Sequence, residues 1–171
     1  ALGGGTGNSR GGSTGCAGAC SNLGGVMSDG AKRGTTALTA GWPVLVDEAY
    51  SDFAGKSLVS RMDEFPNMVI SKTFSKVLAA AGLRVGTLIV HPDLMGYFTA
   101  AALPYNVSTL TLAVAARIAR DEESIGHRLK LAKQERDRVL AALRKVPAIE
   151  VFPSVTNFIL FRLKNEKPAE V

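Results

Sequence analysis

Lys76 closes the segment Ser71-Lys72-Thr73-Phe74-Ser75-Lys76, and Arg84 follows eight residues later. Upstream, the run Val44-Leu45-Val46-Asp47-Glu48-Ala49-Tyr50 ends in carboxylates and a phenol. The amine of Lys76 can form a Schiff base with an aldehyde. The hydroxyls of Thr73 and Ser75 and the guanidinium of Arg84 can hold a phosphate dianion. The carboxylate of Asp47 can keep a ring nitrogen protonated by charge pairing. The phenol of Tyr50 can donate to a ring oxygen. Together these are the groups that pyridoxal phosphate requires of a protein.

Each residue alone has a plainer explanation. Asp47 could be a turn former or helix cap, Tyr50 a packing residue, Lys76 a surface lysine, Thr73 and Ser75 polar loop residues and Arg84 an ion-pairing arginine. The joint pattern D-x-x-Y followed by T-x-S-K-x(7)-R is much rarer than any of its members. Lys72 competes with Lys76 as the reactive amine. Ser75 before it and the step to Arg84 favour Lys76, whereas Lys72, at a strand end, is expected to point to solvent or into the loop.

The elements that must position these groups follow from apolar runs and breakers. Residues 43–46, 67–70 and 85–90 read as strands, with a short helix over 57–64 and a loop over 73–81 running into a short helix. Strand, helix, strand predicts a parallel sheet. In such a sheet Asp47 and Tyr50 follow the first strand and Thr73, Ser75 and Lys76 the second, so one crevice beyond the strand ends can hold them. A helix starting near Lys76 would turn its N-terminus toward an anion. Beyond Pro92 the pattern is helical over 93–102, 108–120 (with Ser108 as a cap) and 122–145, and residues 150–152 and 157–161 read as strands of a smaller unit.

Composition narrows the alternatives. The 171 residues suit one domain, or one and part of another, and a hydrophobic share of 46% suffices for a core. The net charge of +5 comes from dispersed Lys and Arg, many of them mixed with acids between Arg117 and Lys145. That mixture reads as the solvated face of a helix, and no nucleic-acid partner is expected. No run is long enough for a membrane span and no signal peptide is visible, so the expected compartment is the cytoplasm. Cys16 and Cys20 read as two ordinary thiols, with no metal site expected. Eleven of the 18 glycines fall within the first 30 residues. Residues 1–40 therefore read as a glycine-rich disordered tail. The tract from Gly3 to Gly11 misses G-x-G-x-x-G by one position and is not preceded by a strand.

Asp47-Glu48-Ala49-Tyr50, Thr73-Phe74-Ser75-Lys76 and Ala81-Gly82-Leu83-Arg84-Val85-Gly86 resemble the cofactor motifs of the class I/II aminotransferases of fold type I. The stretches from Leu103 to Ser108 and from Phe152 to Phe161 resemble the histidinol-phosphate branch, so the resemblance covers about residues 43–163. It implies an α/β, three-layer fold, with a partial large domain and mostly parallel sheet over 41–120. A linking helix and the start of a small α+β domain follow over 121–171. It implies Lys76 as Schiff-base lysine and general acid/base, Asp47 on the pyridine nitrogen, Tyr50 on the ring oxygen, and Thr73, Ser75 and Arg84 on the phosphate. The reaction implied is ping-pong transfer of an amino group from an amino-acid-like donor to a 2-oxoacid, in a homodimer. The cofactor motifs alone leave open an aspartate-type transaminase, a threonine-phosphate decarboxylase or a non-catalytic remnant. Residues 1–40 carry none of the family's phosphate-loop, ring-stacking or Asn-Pro segments, and the chain stops before the family's substrate-carboxylate arginine. A fragment that binds cofactor weakly is the expectation.

Overall fold

The computed structural model describes residues 34–164. The first helix, α1, spans residues 34–39 and ends at Gly41, whose φ of +79° suits the turn into the first strand. This corrects part of the tail assignment: residues 34–39 are helical and Leu38 is buried. Residues 1–33 lie outside the described residues. Asn67 ties this helix end to the sheet, its Nδ2 donating to Leu38 O at 3.0 Å and Trp42 O at 2.6 Å.

Three strands form the main sheet in the order β1-β2-β3: β1 (Val44–Asp47), β2 (Met68–Thr73) and β3 (Gly86–Val90). β1 and β2 are parallel, with Val44 opposite Met68 and Asp47 opposite Ser71. β2 and β3 are antiparallel, with Ile70 opposite Ile89 and Thr73 opposite Gly86. The expectation of a parallel third strand is thus corrected. The connection over residues 74–85 contains turns and a 3-10 turn at Ala81–Leu83 but no crossover helix, and Phe74 N–H donates to Val85 O at 3.1 Å. The chain therefore reverses and pairs back on itself. No helix starts near Lys76, so no helix N-terminus is offered to an anion there. The helix expected over 57–64 is instead a 3-10 turn at Val59–Arg61 within a series of turns.

Period-two alternation divides the sheet. Val44 and Val46, Met68 and Ile70, and Ile89 share one face. They pack with Leu38 of α1 and with Leu58, Met62 and Phe65 of the 58–65 turns, and this cluster is the core. Met68 and Ile70 have essentially no exposed surface. Leu45 and Leu88 belong to the opposite face and are each about half exposed.

A short helix, α2 (Ser51–Ala54), follows β1 and is closed by Gly55 in the left-handed region. After β3 come α3 (Pro92–Ala101), α4 (Thr109–Ala119) and α5 (Glu122–Leu143). Their caps are local: His91 accepts from Asp93 N, Ser108 Oγ from Thr111 N and Asp121 Oδ1 from Ser124 N. α5 contacts both α2 and β4. β4 (Ile149–Val151) and β5 (Phe161–Leu163) form a separate antiparallel pair. The last strand starts later than the expected 157–161. Ser154 and Thr156 hydroxyls bind Phe158 O and hold residues 155–158 in bends, so laddering begins only at Phe161. No helix among the described residues is long and apolar enough to cross a membrane.

Candidate active site

The register of β1 and β2 places Asp47 beside Ser71, with Ser71 Oγ 3.5 Å from Asp47 Oδ1. The same oxygen accepts from Ala49 N–H at 2.9 Å, which turns the chain toward Tyr50. Its partner oxygen, Oδ2, takes no hydrogen bond among the described residues. By alternation Asp47, Ser71 and Thr73 share the face opposite the core cluster. Thr73 Oγ1 accepts from Ser75 N–H at 3.1 Å, a turn that lifts the chain out of the sheet toward Lys76.

Lys76 is exposed, and its Nζ lies 5.3 Å from the centroid of the Tyr50 ring. That contact joins the segment after β2 to the segment after β1. Tyr50 is steadied by Phe53 at 6.4 Å and, edge to face, by Phe158 at 5.2 Å. Its hydroxyl makes no hydrogen bond among the described residues. Arg84 sits two residues before β3, next to Val85, whose carbonyl pairs with Phe74. Arg84 is therefore at the Thr73 end of the sheet. Its backbone is left-handed, with φ 52° and ψ 44°, and its Nη1 donates to Ala81 O at 3.1 Å. Gly86 matters here: a Cβ on it would stand 2.9 Å from Lys72 O, so only glycine lets β3 start this close to β2.

All six candidate residues thus lie at one end of the sheet, where β1 and β2 finish and β3 begins. Asp47, Thr73 and the Lys76–Tyr50 pair are linked by short turns. Arg84 reaches the same end from the returning chain and makes no hydrogen bond or ring contact to the others.

Lys72 does not point free into solvent. Alternation sends it to the other face, where Nζ lies 3.2 Å from Asp52 Oδ1, 3.3 Å from Ser51 Oγ and 3.5 Å from Glu48 Oε2. Glu48 is buried and accepts from Ser57 Oγ at 2.7 Å and Leu58 N–H at 2.6 Å. These contacts correct the expectation for Lys72, and Glu48 is the residue that sequence reasoning passed over. A signal for it exists: strand alternation puts neighbours Asp47 and Glu48 on opposite faces, and Lys72 is the matching position on β2. A hollow of about 300 Å³ opens beside this cluster, lined by Asp52, Lys72, Phe74, Val77 and Ile125 among others. Thr73 is the one candidate residue that borders it. Among the described residues no group of His, Cys, Asp and Glu could hold a metal ion.

An α/β sheet thus carries this lysine, acid and phenol at one end. Residues 31–170 match the family described as aminotransferase class I and II, and the chain belongs to it. It is 36% identical over 122 residues to a histidinol-phosphate aminotransferase of Thermoanaerobacter sp. (strain X514). The match covers 71% of this chain and 34% of that protein, so the chain spans about a third of its relative's length. Among solved structures, the histidinol-phosphate aminotransferase of Clostridium acetobutylicum superposes with a TM-score of 0.72 at 26% identity, over 80% of this chain and 42% of that one. The L-threonine-O-3-phosphate decarboxylase of Porphyromonas gingivalis gives 0.66 at 24%, over 77% and 42%. The histidinol-phosphate aminotransferase of Sinorhizobium meliloti, in complex with pyridoxal-5'-phosphate, gives 0.67 at 22%, over 76% and 36%. The last two speak for the fold alone. The fold is that of these enzymes, represented by part of their sheet.

Proposed function

We propose that the chain is the cofactor-binding part of a pyridoxal-phosphate-dependent aminotransferase acting on a histidinol-phosphate-type amine and a 2-oxoacid such as 2-oxoglutarate. The single observation that carries this reading is the Lys76 amine standing over the Tyr50 ring, at the same sheet end as Asp47. The donor set fits the cofactor. Asp47 keeps one carboxylate oxygen free for a protonated ring nitrogen. The Tyr50 hydroxyl is free to donate, and the Ser75 hydroxyl and most of the Arg84 guanidinium are free for a phosphate.

When bound, pyridoxal phosphate supplies an aldehyde that takes up an amine and a ring that accepts electrons from the substrate carbon. The rest belongs to the chain. Lys76 would provide the amine that holds the aldehyde and a base able to carry a proton. Asp47 holds a proton on the ring nitrogen by its negative charge. Tyr50 donates to the ring oxygen and keeps Lys76 near. Thr73, Ser75 and Arg84 bind and orient the phosphate by charge-assisted hydrogen bonds. The assembly we infer is a homodimer. Large apolar side chains exposed between Tyr97 and Leu112 support it.

The test is titration of the purified chain with pyridoxal phosphate, followed by absorbance near ~420 nm, where a lysine-bound cofactor absorbs. A band that is present in the native chain, absent in Lys76→Ala and kept in Lys72→Ala is the expected result. Persistence of the full band in Lys76→Ala would overturn the assignment of the amine. Coupled conversion of 2-oxoglutarate to glutamate, measured against carbon dioxide release, separates transamination from decarboxylation.

A further inference from the structure

Lys72 and Lys76 flank the same turn, and they differ in what holds them. The Lys72 ammonium has three N–H donors and three oxygens around it, from Asp52 at 3.2 Å, Ser51 at 3.3 Å and Glu48 at 3.5 Å. The other partners of the buried Glu48 are neutral, the Ser57 hydroxyl and the Leu58 amide. Lys72 is therefore its one cationic partner among the described residues. Lys76 is exposed, and among the described residues no carboxylate lies within ion-pair distance of it.

An amine adds to an aldehyde only as the neutral nitrogen. Its lone pair forms the C–N bond, and the carbonyl oxygen leaves as water with both hydrogens of the amine. Lys72 would first have to give up a proton and its three contacts, leaving a buried carboxylate without its counter-charge. Breaking a buried pair from one side is its costly disruption. Lys76 has to lose a proton as well, but it breaks no ion pair among the described residues and leaves no buried carboxylate unpaired.

The geometry points to Glu48 and Asp52 as a selectivity clamp: they hold Lys72 on the far face of β2 and so leave Lys76 as the amine of this segment that an aldehyde meets. The identity of the natural aldehyde rests on the function proposed above; the shielding of Lys72 does not.

Reductive methylation with formaldehyde and cyanoborohydride, mapped by peptide mass spectrometry, reads amine availability without a cofactor site. Lys72 in the native chain is expected to react at least about tenfold more slowly than Lys76 and the exposed Lys56, because charge-assisted hydrogen bonds must be given up first. Asp52→Asn, at a partly exposed position, is expected to narrow that gap, and Glu48→Gln with Asp52→Asn to close it, with Lys56 unchanged. Equal rates at Lys72 and Lys56 in the native chain would overturn the clamp, as would an unchanged gap in Asp52→Asn and the double variant. A second arm uses pyridoxal phosphate with borohydride. An adduct on Lys76 alone in the native chain and on both lysines in the double variant supports the clamp. Lys72 shielded from formaldehyde with no adduct on Lys76 would sink the proposed function and leave the clamp standing.

Discussion

Glu48 shows how a single side chain can matter to a site it does not enter. It is buried, it caps the 57–58 turn through Ser57 and Leu58, and it neutralises Lys72. Glu48→Ala leaves the part-buried Leu58 amide and the Ser57 hydroxyl without their acceptor and takes from Lys72 one of its three oxygens. The expected loss is about 1–3 kcal/mol of stability, measured by urea denaturation; a loss below the error of the method would mean that water replaces the carboxylate without penalty. Phe158→Ala removes the edge-to-face partner of Tyr50 at 5.2 Å, and faster hydrogen exchange around residues 49–53 is expected. At this scale the candidate residues could be nominated from sequence, and the structure gathers them at one end of the sheet. Asp47, Tyr50, Thr73, Ser75, Lys76 and Arg84 announce their chemistry by type and spacing. The partners of Lys72 become legible only with the register of β1 on β2, because Glu48, Ser51 and Asp52 reach it through the pairing of two strands some twenty positions apart.

The three helices from Pro92 onward were read nearly in full, since local caps set their boundaries, whereas α1 and α2 were not foreseen and the helices expected over 57–64 and near Lys76 did not form. Ser108 caps α4 as expected from sequence, and Ser108→Ala should cost about 1 kcal/mol in thermal unfolding. Asp121 caps α5, and the Ser124 backbone N–H, with the nearby Arg117 and Arg128 charges, holds its carboxyl below the usual range. A depressed folded-state value means that the cap stabilises fully above the ordinary carboxylate range and is lost as pH falls through the depressed one. Acid titration followed by far-ultraviolet circular dichroism should show native α5 fraying in that window. Asp121→Asn, whose side chain does not titrate, should lack this step; an identical acid profile in the variant would remove the cap from the account. Strand direction was the element-scale failure. Residues 85–90 were recognised as a strand, but apolar runs do not encode orientation, and the antiparallel return follows from a connection with no crossover helix.

For the molecule as a whole, one sheet face has its own core and the other leaves Leu45 and Leu88 about half exposed. β1 and β3 are both edges of this sheet. Such a surface favours association of copies. Leu45→Ser combined with Leu88→Ser is expected to lower the weight-average mass in sedimentation equilibrium at micromolar concentration. An unchanged mass would direct attention to the exposed residues from Tyr97 to Leu112. The α/β class was legible at this scale. The burial of Leu38 was not, because a glycine-rich approach conceals a helix whose stability comes from the sheet beneath it.

The left-handed backbone at Arg84 has a further consequence. A side chain there carries roughly 1–2 kcal/mol of steric tension that glycine would not. Arg84→Gly should therefore outlast Arg84→Ala in heat by several degrees, although both forfeit the guanidinium.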